Sequence, residues 1–403
     1  MTAFDATPQL SARVSAVEEA AIIRMSQKAR ELRNQGMDIV SLTLGEPDFD
    51  TPAIIQQAAS RAMAEGFTHY APVPGIPELR QALAQKFARE NNIAYSPEEI
   101  AVTNGAKQAI TNAIHALIDA GDEAILLAPY WVAYEALIRM VGGKPIVLHA
   151  GADEGFKVPA KRIAAAITDK TKLLMMNSPC NPTGAVFSRD ELQEIANIVK
   201  DQPHLLVLAD EIYEHILFDG KLISFASLPG MKERTITING FSKAYAMTGW
   251  RLGYAAAPLP IIRAMAKVQS AFTAGANYFV QKAGIVALEQ AGPDAKKMCE
   301  IYRRRRDLII SGLKAIPGIK IENPPATFYA FPDISAFLGK RAGNHVIDNV
   351  DQLCDWILQE HGLATVPGSA FGDGNCLRLS FAASEADIEK GVARLASALG
   401  SLA

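Results

Sequence analysis

The sequence contains little cysteine, and the spacing of the cysteines excludes the common cysteine-based sites. Four cysteines are scattered over 403 residues, at Cys180, Cys299, Cys354 and Cys376. None of them forms a C-x-x-C pair or a spacing typical of zinc ligands. We therefore expect free thiols, a reducing compartment and no metal site.

Long apolar runs and a strong excess of charge are missing too. No apolar run reaches the length that spans a bilayer, and residues 1–8 lack the basic and apolar stretches of a secretory signal. The formal net charge is -3, which argues against nucleic-acid binding through bulk electrostatics. These absences predict a cytoplasmic protein that contacts neither a membrane nor a nucleic acid.

The common nucleotide-binding loops are also missing, although one segment does predict an anion site. The segment 104–109, Asn-Gly-Ala-Lys-Gln-Ala, follows a predicted strand at 100–103 and begins a predicted helix. It matches neither the Walker A loop nor the G-x-G-x-x-G pattern. The free backbone N–H groups and the dipole at a helix start nevertheless attract an anion.

Apolar strands that end in polar residues alternate with helices through the middle of the chain. This alternation is typical of an α/β protein with a mostly parallel sheet, in which ligands bind at the carboxyl ends of the strands. Lys107, Asn181, Asp210 and Lys243 each lie just past one of these ends. We therefore expect these four side chains to lie close together.

The length of the chain and a change of pattern near residue 317 predict two domains. Helices are expected at 261–290 and 294–316, and shorter strands and helices follow. We expect a large domain at 49–300 and a smaller α+β domain at 301–403. The N-terminal segment, 1–48, should pack with the smaller domain.

One lysine stands out as a candidate nucleophile. Lys243 follows a predicted strand and lies beside Phe241 and Tyr245 in the sequence. Partial desolvation would lower the pKa of its amine, which a lysine needs in order to attack a carbonyl group. Arg251, eight residues later, stands between two glycines, where a phosphate could approach. An ordinary surface lysine is the commoner interpretation of such a residue alone, and the other polar strand ends outweigh it.

Other polar and aromatic residues allow two interpretations each. Arg378 is a charge inside an apolar strand predicted at 376–381, and a buried charge needs a partner. That partner could be a substrate carboxylate or a structural salt bridge. Trp131 could stack on a planar ring, and Tyr70 could reach a phosphate, but aromatic residues in such positions are more often packing residues.

Together the motifs resemble the class I and II aminotransferases. The resemblance rests on 177–184, 210–213, Ser242-Lys243 with Arg251, and Arg378, which occur in the family's order. Further matches at 45–52, 70–80, 129–132 and 246–251 are similar to the bacterial aspartate/prephenate aminotransferases. The resemblance implies an α/β fold, the fold type I of transferases that depend on pyridoxal 5'-phosphate (PLP). In this fold a large domain with a mostly parallel sheet is joined to a smaller α+β domain.

The resemblance also implies catalytic roles. Lys243 would form a Schiff base with PLP and later move a proton between the substrate and the cofactor. Asp210 would keep the pyridine nitrogen of the cofactor protonated, so that the ring can accept electrons. Asn181 and Tyr213 would hydrogen-bond the phenolic oxygen of the cofactor.

The remaining implied contacts surround the cofactor and the substrate. Trp131 would stack on the ring, and Arg378 would bind the substrate α-carboxylate, helped by Gly45 and Asn181. Tyr70 would reach the phosphate from a neighbouring subunit, so the resemblance implies a homodimer. The other residues expected around the phosphate are Gly105, Ala106, Lys107, Ser242 and Arg251.

The substrates implied are an L-amino acid and a 2-oxo acid such as 2-oxoglutarate. Lys107 matches a lysine associated with the distal carboxylate of aspartate or glutamate. Two segments depart from the subgroup: 18–22 is Glu-Glu-Ala-Ala-Ile where Lys-Pro-Ser-Ala-Thr is common, and 270–277 differs from the usual Ser/Thr/Pro-rich run. These departures predict that an apolar or aromatic amino acid is accepted as well as, or instead of, aspartate.

Two other functions occur on the same fold. PLP-dependent β-C–S lyases use the same lysine and aspartate, and they release pyruvate and ammonia without an acceptor acid. Some transcription regulators carry the fold as a ligand sensor behind a DNA-binding domain. The sequence shows no helix-turn-helix segment, which disfavours the regulator.

Overall fold

The computed structural model describes residues 11–15, 17 and 21–403. Most of the segment 18–22 therefore lies outside the described residues. This segment is one of the two whose departure from the resembled subgroup predicts a different substrate range. No helix within the described part of the chain combines the length and apolarity that a membrane crossing requires. All four cysteines are free thiols, as predicted.

The α-helices described are, in chain order, α1 Ala12–Ser15, α2 Ala21–Asn34, α3 Ala53–Ala64, α4 Pro77–Lys86, α5 Ala106–Leu117, α6 Ala133–Met140, α7 Ala160–Ala166, α8 Arg189–Lys200, α9 Leu259–Phe272, α10 Tyr278–Gln290, α11 Gly292–Lys314, α12 Val350–His361 and α13 Glu385–Gly400.

The strands described are β1 Val40–Ser41, β2 Ile100–Thr103, β3 Glu123–Ala128, β4 Lys144–His149, β5 Thr171–Asn177, β6 Leu206–Asp210, β7 Thr235–Gly240, β8 Gly253–Ala256, β9 Tyr329–Ala330, β10 Arg341–Ala342, β11 His345–Val346, β12 Leu363–Ala364, β13 Val366–Pro367 and β14 Leu377–Ser380.

A seven-stranded sheet in the order β2-β8-β7-β6-β5-β3-β4 forms the centre of the fold. Only β8 runs antiparallel to its neighbours among these strands, so the predicted mostly parallel sheet is confirmed. Parallel pairing brings the carboxyl ends of β5, β6 and β7 to one edge. There Asn177 is the direct cross-strand partner of Asp210, which in turn pairs with Ile238.

Helices cover both faces of this sheet, which explains why its central strands are almost continuously apolar. Successive side chains of a strand point to opposite faces. Accordingly Ile236 and Ile238 of β7 join one core cluster with α5 and α9, while Val207 and Ala209 of β6 join another with α7 and α8. The central strands are thereby fixed, and their polar carboxyl ends are held at one edge.

A second, antiparallel sheet in the order β13-β14-β9 lies in the C-terminal part of the chain. The N-terminal segment joins this part through β1, which pairs with β12 in parallel. Met25 and Val40 share one core cluster with Leu363 and with Tyr213 of the large-sheet region. The fold class is as predicted. The domain limits at 48/49 and 300/301 stay a prediction, and α11 runs without a break from Gly292 to Lys314.

The single helix predicted at 261–290 is wrong, because the chain forms α9 and α10 with a break between them. Ala274 has a positive φ of 59°, which no helix interior accommodates. Gly275 packs so tightly on the chain that an added Cβ would lie 2.7 Å from the carbonyl oxygen of Ala71. The apolar periodicity of this region continues through the break, so it does not reveal the turn.

The start of α5 depends on the close approach of two backbone segments. A Cβ on Gly253 would lie 2.2 Å from the backbone nitrogen of Ala106. Gly105, which precedes α5, has a φ of 82°, a conformation that favours glycine. The helix start can therefore lie directly on β8.

The variant Gly253→Ala is expected to displace the start of α5 and to lower the free energy of unfolding by about 2 kcal/mol or more, because the clash is with backbone. Thermal unfolding of the purified protein measures the loss. The control is Gly249→Ala, since no atom of the described residues lies within 4 Å of a Cβ placed there. Equal melting temperatures for the two variants would contradict this account of the helix start.

Candidate active site

A pocket of about 360 Å³ lies at the carboxyl edge of the large sheet. Its size is typical of sites that bind small molecules. Most of the residues predicted from the sequence line it. They are Gly45, Ala106, Lys107, Trp131, Asn181, Asp210, Tyr213, Ser242, Lys243, Arg251 and Arg378.

Lys243 lies just past β7, with its amine inside the pocket. The amine donates a hydrogen bond to the carbonyl oxygen of Gly45. Burial lowers its pKa to about 8; the charge of Glu46 opposes this change, and the guanidinium groups of Arg378 and Arg251 add to it. The predicted desolvation of this lysine is thus present in the fold.

The aromatic rings near this amine differ from those expected. The ring centroids of Tyr213 and Phe328 lie 6.0 and 5.9 Å from its nitrogen. Phe241 and Tyr245 instead pack in a core cluster with Tyr254. Phe241 and Tyr245 were expected near the amine because they are close to Lys243 along the chain. These two residues face the core, and the rings near the amine come from distant segments.

Asp210 is the last residue of β6 and is 4% exposed. Its Oδ2 accepts a hydrogen bond from the Tyr134 hydroxyl at 2.7 Å, and its Oδ1 accepts one from the backbone nitrogen of Ile212 at 3.2 Å. Burial raises its pKa to about 6, although both hydrogen bonds act to lower it. A carboxylate held in this way favours a positively charged group beside it.

Two asparagines connect this strand end to the loop at 177–184. Asn177 donates to the backbone oxygen of Asp210 at 2.9 Å and accepts from the backbone nitrogen of Asn181 at 2.7 Å. The side-chain oxygen of Asn181 accepts from Arg378 at 3.0 Å. The loop therefore joins the backbone of Asp210 to the buried guanidinium of Arg378.

Arg378, on β14, is fully buried. It donates to Asn181 and, at 2.8 Å, to the carbonyl oxygen of Thr43, and it lies 4.4 Å from the ring centroid of Tyr329. Among the residues that the structure describes, none is a hydrogen-bond partner of its Nε. Within the described residues no carboxylate lies within 4.0 Å of its nitrogens, so the salt bridge considered from the sequence does not form there.

Positive groups gather at the start of α5. Arg251 donates from Nη1 to the carbonyl oxygen of Thr248 at 2.9 Å. A Cβ on Gly105 would lie 2.5 Å from Nη2 of Arg251, so only glycine leaves room for the guanidinium there. Ser242 is buried beside Lys243 and lines the same pocket. This end of the pocket suits an anion.

Lys107 and Trp131 form one wall of the pocket. The ammonium group of Lys107 lies 5.0 Å from the ring centroid of Trp131. Desolvation lowers the pKa of Lys107, and the charge of Arg251 lowers it further. Trp131 in turn meets the ring of Tyr134 edge to face, with centroids 5.5 Å apart.

Tyr70 is a predicted site residue that lies outside this pocket. Its side chain is 93% exposed, and it is absent from the pocket lining. Gly105 does not line the pocket either, but it shapes the site through Arg251.

Sequence reasoning missed several pocket residues. Glu46 lines the pocket and accepts from the Thr248 hydroxyl at 2.7 Å. The hydroxyl groups of Tyr213 and Tyr329 are 2.8 Å apart. Glu46 directly follows Gly45 and could have been found from that position. Nothing in the sequence connects Tyr329 to the distant Tyr213.

Comparison with known proteins agrees with the family that the sequence motifs resemble. The family model described as aminotransferase class I and II matches residues 37–395. The chain belongs to this family. A bifunctional aspartate aminotransferase and glutamate/aspartate-prephenate aminotransferase of Petunia hybrida is 44% identical over 395 residues, which are 97% of this chain and 82% of that relative.

Solved structures of family members have the same fold. The crystal structure of the aspartate aminotransferase from Rhizobium meliloti is 40% identical and superposes with a TM-score of 0.96, covering 98% of this chain and 100% of that one. The Thermus thermophilus aspartate aminotransferase with maleate is 43% identical, with a TM-score of 0.91 and coverage of 97% and 100%. The predicted family and fold type are confirmed.

The pKa of Lys243 predicts how its reactivity varies with pH. Only the neutral amine attacks a carbonyl. In cofactor-free protein the rate at which Lys243 reacts with a small aldehyde should therefore rise with pH, with the midpoint of the rise near pH 8. Borohydride trapping followed by peptide mass spectrometry measures this reaction, and Lys243→Gln identifies the labelled peptide. A midpoint near the ordinary lysine pKa of about 10.4 would contradict the desolvation argument.

Proposed function

We propose that this protein is a PLP-dependent aminotransferase that moves the amino group of an L-amino acid to a 2-oxo acid such as 2-oxoglutarate. The observation that carries the proposal is the convergence of Lys243, Asp210 and Arg378 on one pocket. An amine, a buried carboxylate and a buried guanidinium are the groups that this transfer needs. Membership of the aminotransferase family supports the same activity.

The pocket suits PLP because its two ends have opposite charge. The start of α5, Ser242 and Arg251 would hold the phosphate, and Gly105 leaves the room that Arg251 occupies. Asp210 would hold the pyridine nitrogen. A buried carboxylate stabilises a positive charge beside it, so Asp210 would favour the protonated form of this nitrogen. The other contacts we propose are Trp131 on the ring, and Asn181 and Tyr213 at the phenolic oxygen.

PLP, when bound, supplies an electron sink for the charge that develops at the substrate α-carbon. The chain itself supplies the base. The Nζ of Lys243 would accept the proton of the substrate α-carbon and then donate it to the carbon of PLP that takes up the amino group. A pKa near 8 places this amine close to the range in which a general base is efficient.

Arg378 would bind the substrate α-carboxylate. Its Nε has no hydrogen-bond partner in the described part of the chain, and its guanidinium is buried beside the rings of Tyr329 and Phe371. A buried cation without a carboxylate partner is costly, and the substrate would provide one. A Cβ on Gly45 would lie 3.3 Å from the Tyr329 hydroxyl, so glycine leaves the nearby backbone accessible.

The part of the pocket that would contact the substrate side chain has both apolar residues and a cation. For this reason we propose that the protein accepts a broad range of amino acids. Ile22 of α2, Leu44 and Ile110 line the pocket and would contact an apolar or aromatic side chain. Among the described lining residues, Lys107 is the cation to which we assign no other role, and it would bind a second carboxylate. The Thermus thermophilus relative described with maleate, a dicarboxylate, supports the second option.

We also propose a homodimer in which Tyr70 completes the partner's phosphate site. The support is that Tyr70 is 93% exposed and lies outside the pocket of its own chain. Its phenol would thus be available to a second copy.

An absorption titration tests the proposed activity. Adding aspartate, glutamate, phenylalanine, methionine or alanine singly to the PLP-loaded protein, without a 2-oxo acid, should replace the band of the yellow form by that of the amino form of the cofactor. The order of the amino acids in this titration ranks the donors. A spectrum that stays unchanged with all five contradicts the proposal, and pyruvate release without the amino form would indicate the lyase instead.

The variant Lys107→Ala tests the two options for the substrate side chain. We expect kcat/KM to fall about tenfold or more for aspartate and to change little for phenylalanine, because only aspartate has a second carboxylate to pair. Steady-state kinetics with both donors measure the difference. Equal losses would show that Lys107 does not bind the distal carboxylate.

A further inference from the structure

Tyr134 touches two of the residues that we place on the cofactor. Its hydroxyl donates to Oδ2 of Asp210 at 2.7 Å. Its ring meets that of Trp131 edge to face, with centroids 5.5 Å apart and planes at 86°. Tyr134 does not line the pocket, so any effect on the reaction passes through these two neighbours.

The position of this phenol is tightly fixed. Tyr134 is 1% exposed and belongs to a core cluster that includes Leu173 and Met175 of β5 and Ile138 of α6. Its backbone nitrogen also donates to the carbonyl oxygen of Trp131 at 3.0 Å. A ring packed in this way cannot turn aside, so its hydroxyl fixes whichever oxygen it binds.

We propose that Tyr134 is a positioning residue, which holds the Asp210 carboxylate and the Trp131 ring in one fixed relation. This inference rests on the proposed function. With Ile212 on Oδ1 and Tyr134 on Oδ2, each carboxylate oxygen has one donor, and the plane of the group is set. The same tyrosine supports the ring that would stack on the cofactor.

The hydrogen bond also favours the charged form of the carboxylate. The titratable groups that act on the buried Asp210 are Tyr134, Cys180, Tyr213 and Lys243. Among them, the Tyr134 hydroxyl donates to it directly. Without that donor, Asp210 would be protonated more readily and would hold a pyridinium less well.

The test compares Tyr134→Phe with Tyr130→Phe in the PLP-loaded protein. Both changes remove a hydroxyl that donates to a carboxylate, but Tyr130 donates to Glu135 at 2.5 Å. We expect kcat to fall about tenfold in Tyr134→Phe, the loss typical of one hydrogen bond to a charged group. KM should stay within about twofold, because Arg378 is untouched. Unchanged kcat, or an equal loss in Tyr130→Phe, would overturn the inference.

A double-mutant cycle separates positioning from packing. In an Asp210→Asn background, Tyr134→Phe should cause little further loss of kcat if it acts through Asp210. A full tenfold loss in that background would assign the effect to packing and overturn the inference.

Cofactor-free protein gives a readout that does not depend on the proposed function. Burial raises the pKa of Asp210 to about 6, so a larger fraction of this group is ionised at pH 8 than at pH 5. Tyr134 stabilises the ionised form, so Tyr134→Phe should lower the melting temperature more at pH 8 than at pH 5. If the melting temperature falls equally at both pH values, or if the variant folds at neither, Tyr134 has only a packing role and the inference is overturned. If wild-type protein transfers no amino group, the proposed function fails, while this comparison still decides the role of the hydrogen bond.

Discussion

Two buried charges of opposite sign face the same pocket without neutralising each other. Asp210 ends a strand of the large sheet, and Arg378 lies on the smaller antiparallel sheet. Asn181 bonds the guanidinium, and its loop is anchored to the backbone of Asp210, so the two groups are held apart by a polar bridge. Because unpaired buried charges are costly, the fold keeps two positions at which a charged ligand is stabilised.

The remaining parts of the site follow from this constraint. Parallel strands bring Asn177, Asp210 and the segment after β7 to one edge, where Lys243 enters the pocket. The close approach of β8 to α5 places Arg251 beside the helix start. Desolvation, which raises the pKa of Asp210, also lowers that of Lys243. Burial beside a single pocket thus prepares both a carboxylate and an amine for chemistry.

Charge also divides the pocket into regions with different tasks. Arg251 and the start of α5 form a positive end, Asp210 lies on the buried sheet edge, and Arg378 lies on the far sheet. The apolar side chains of Ile22 and Leu44 line the same pocket as Lys107. Such a mixed wall does not commit the pocket to one kind of amino-acid side chain.

The alternation of apolar strands with helices predicted the α/β class, and the polar residues after those strands predicted which side chains would line one pocket. Lys107, Asn181, Asp210, Lys243 and Arg378 were identified in this way because strand ends and a charge within a strand are local features. The break at 273–277 was missed because it depends on packing against Ala71, a contact from a distant segment.

Only the tertiary structure decided which groups touch. The rings near Lys243 come from residues 213 and 328, and Tyr134 reaches Asp210 across 76 positions of sequence. The desolvation that shifts both pKa values likewise results from the packed sheets and not from neighbours along the chain. The sequence alone therefore determined the kinds of groups present, and folding decided their partners, because contacts over long sequence separations leave no periodic trace in the chain.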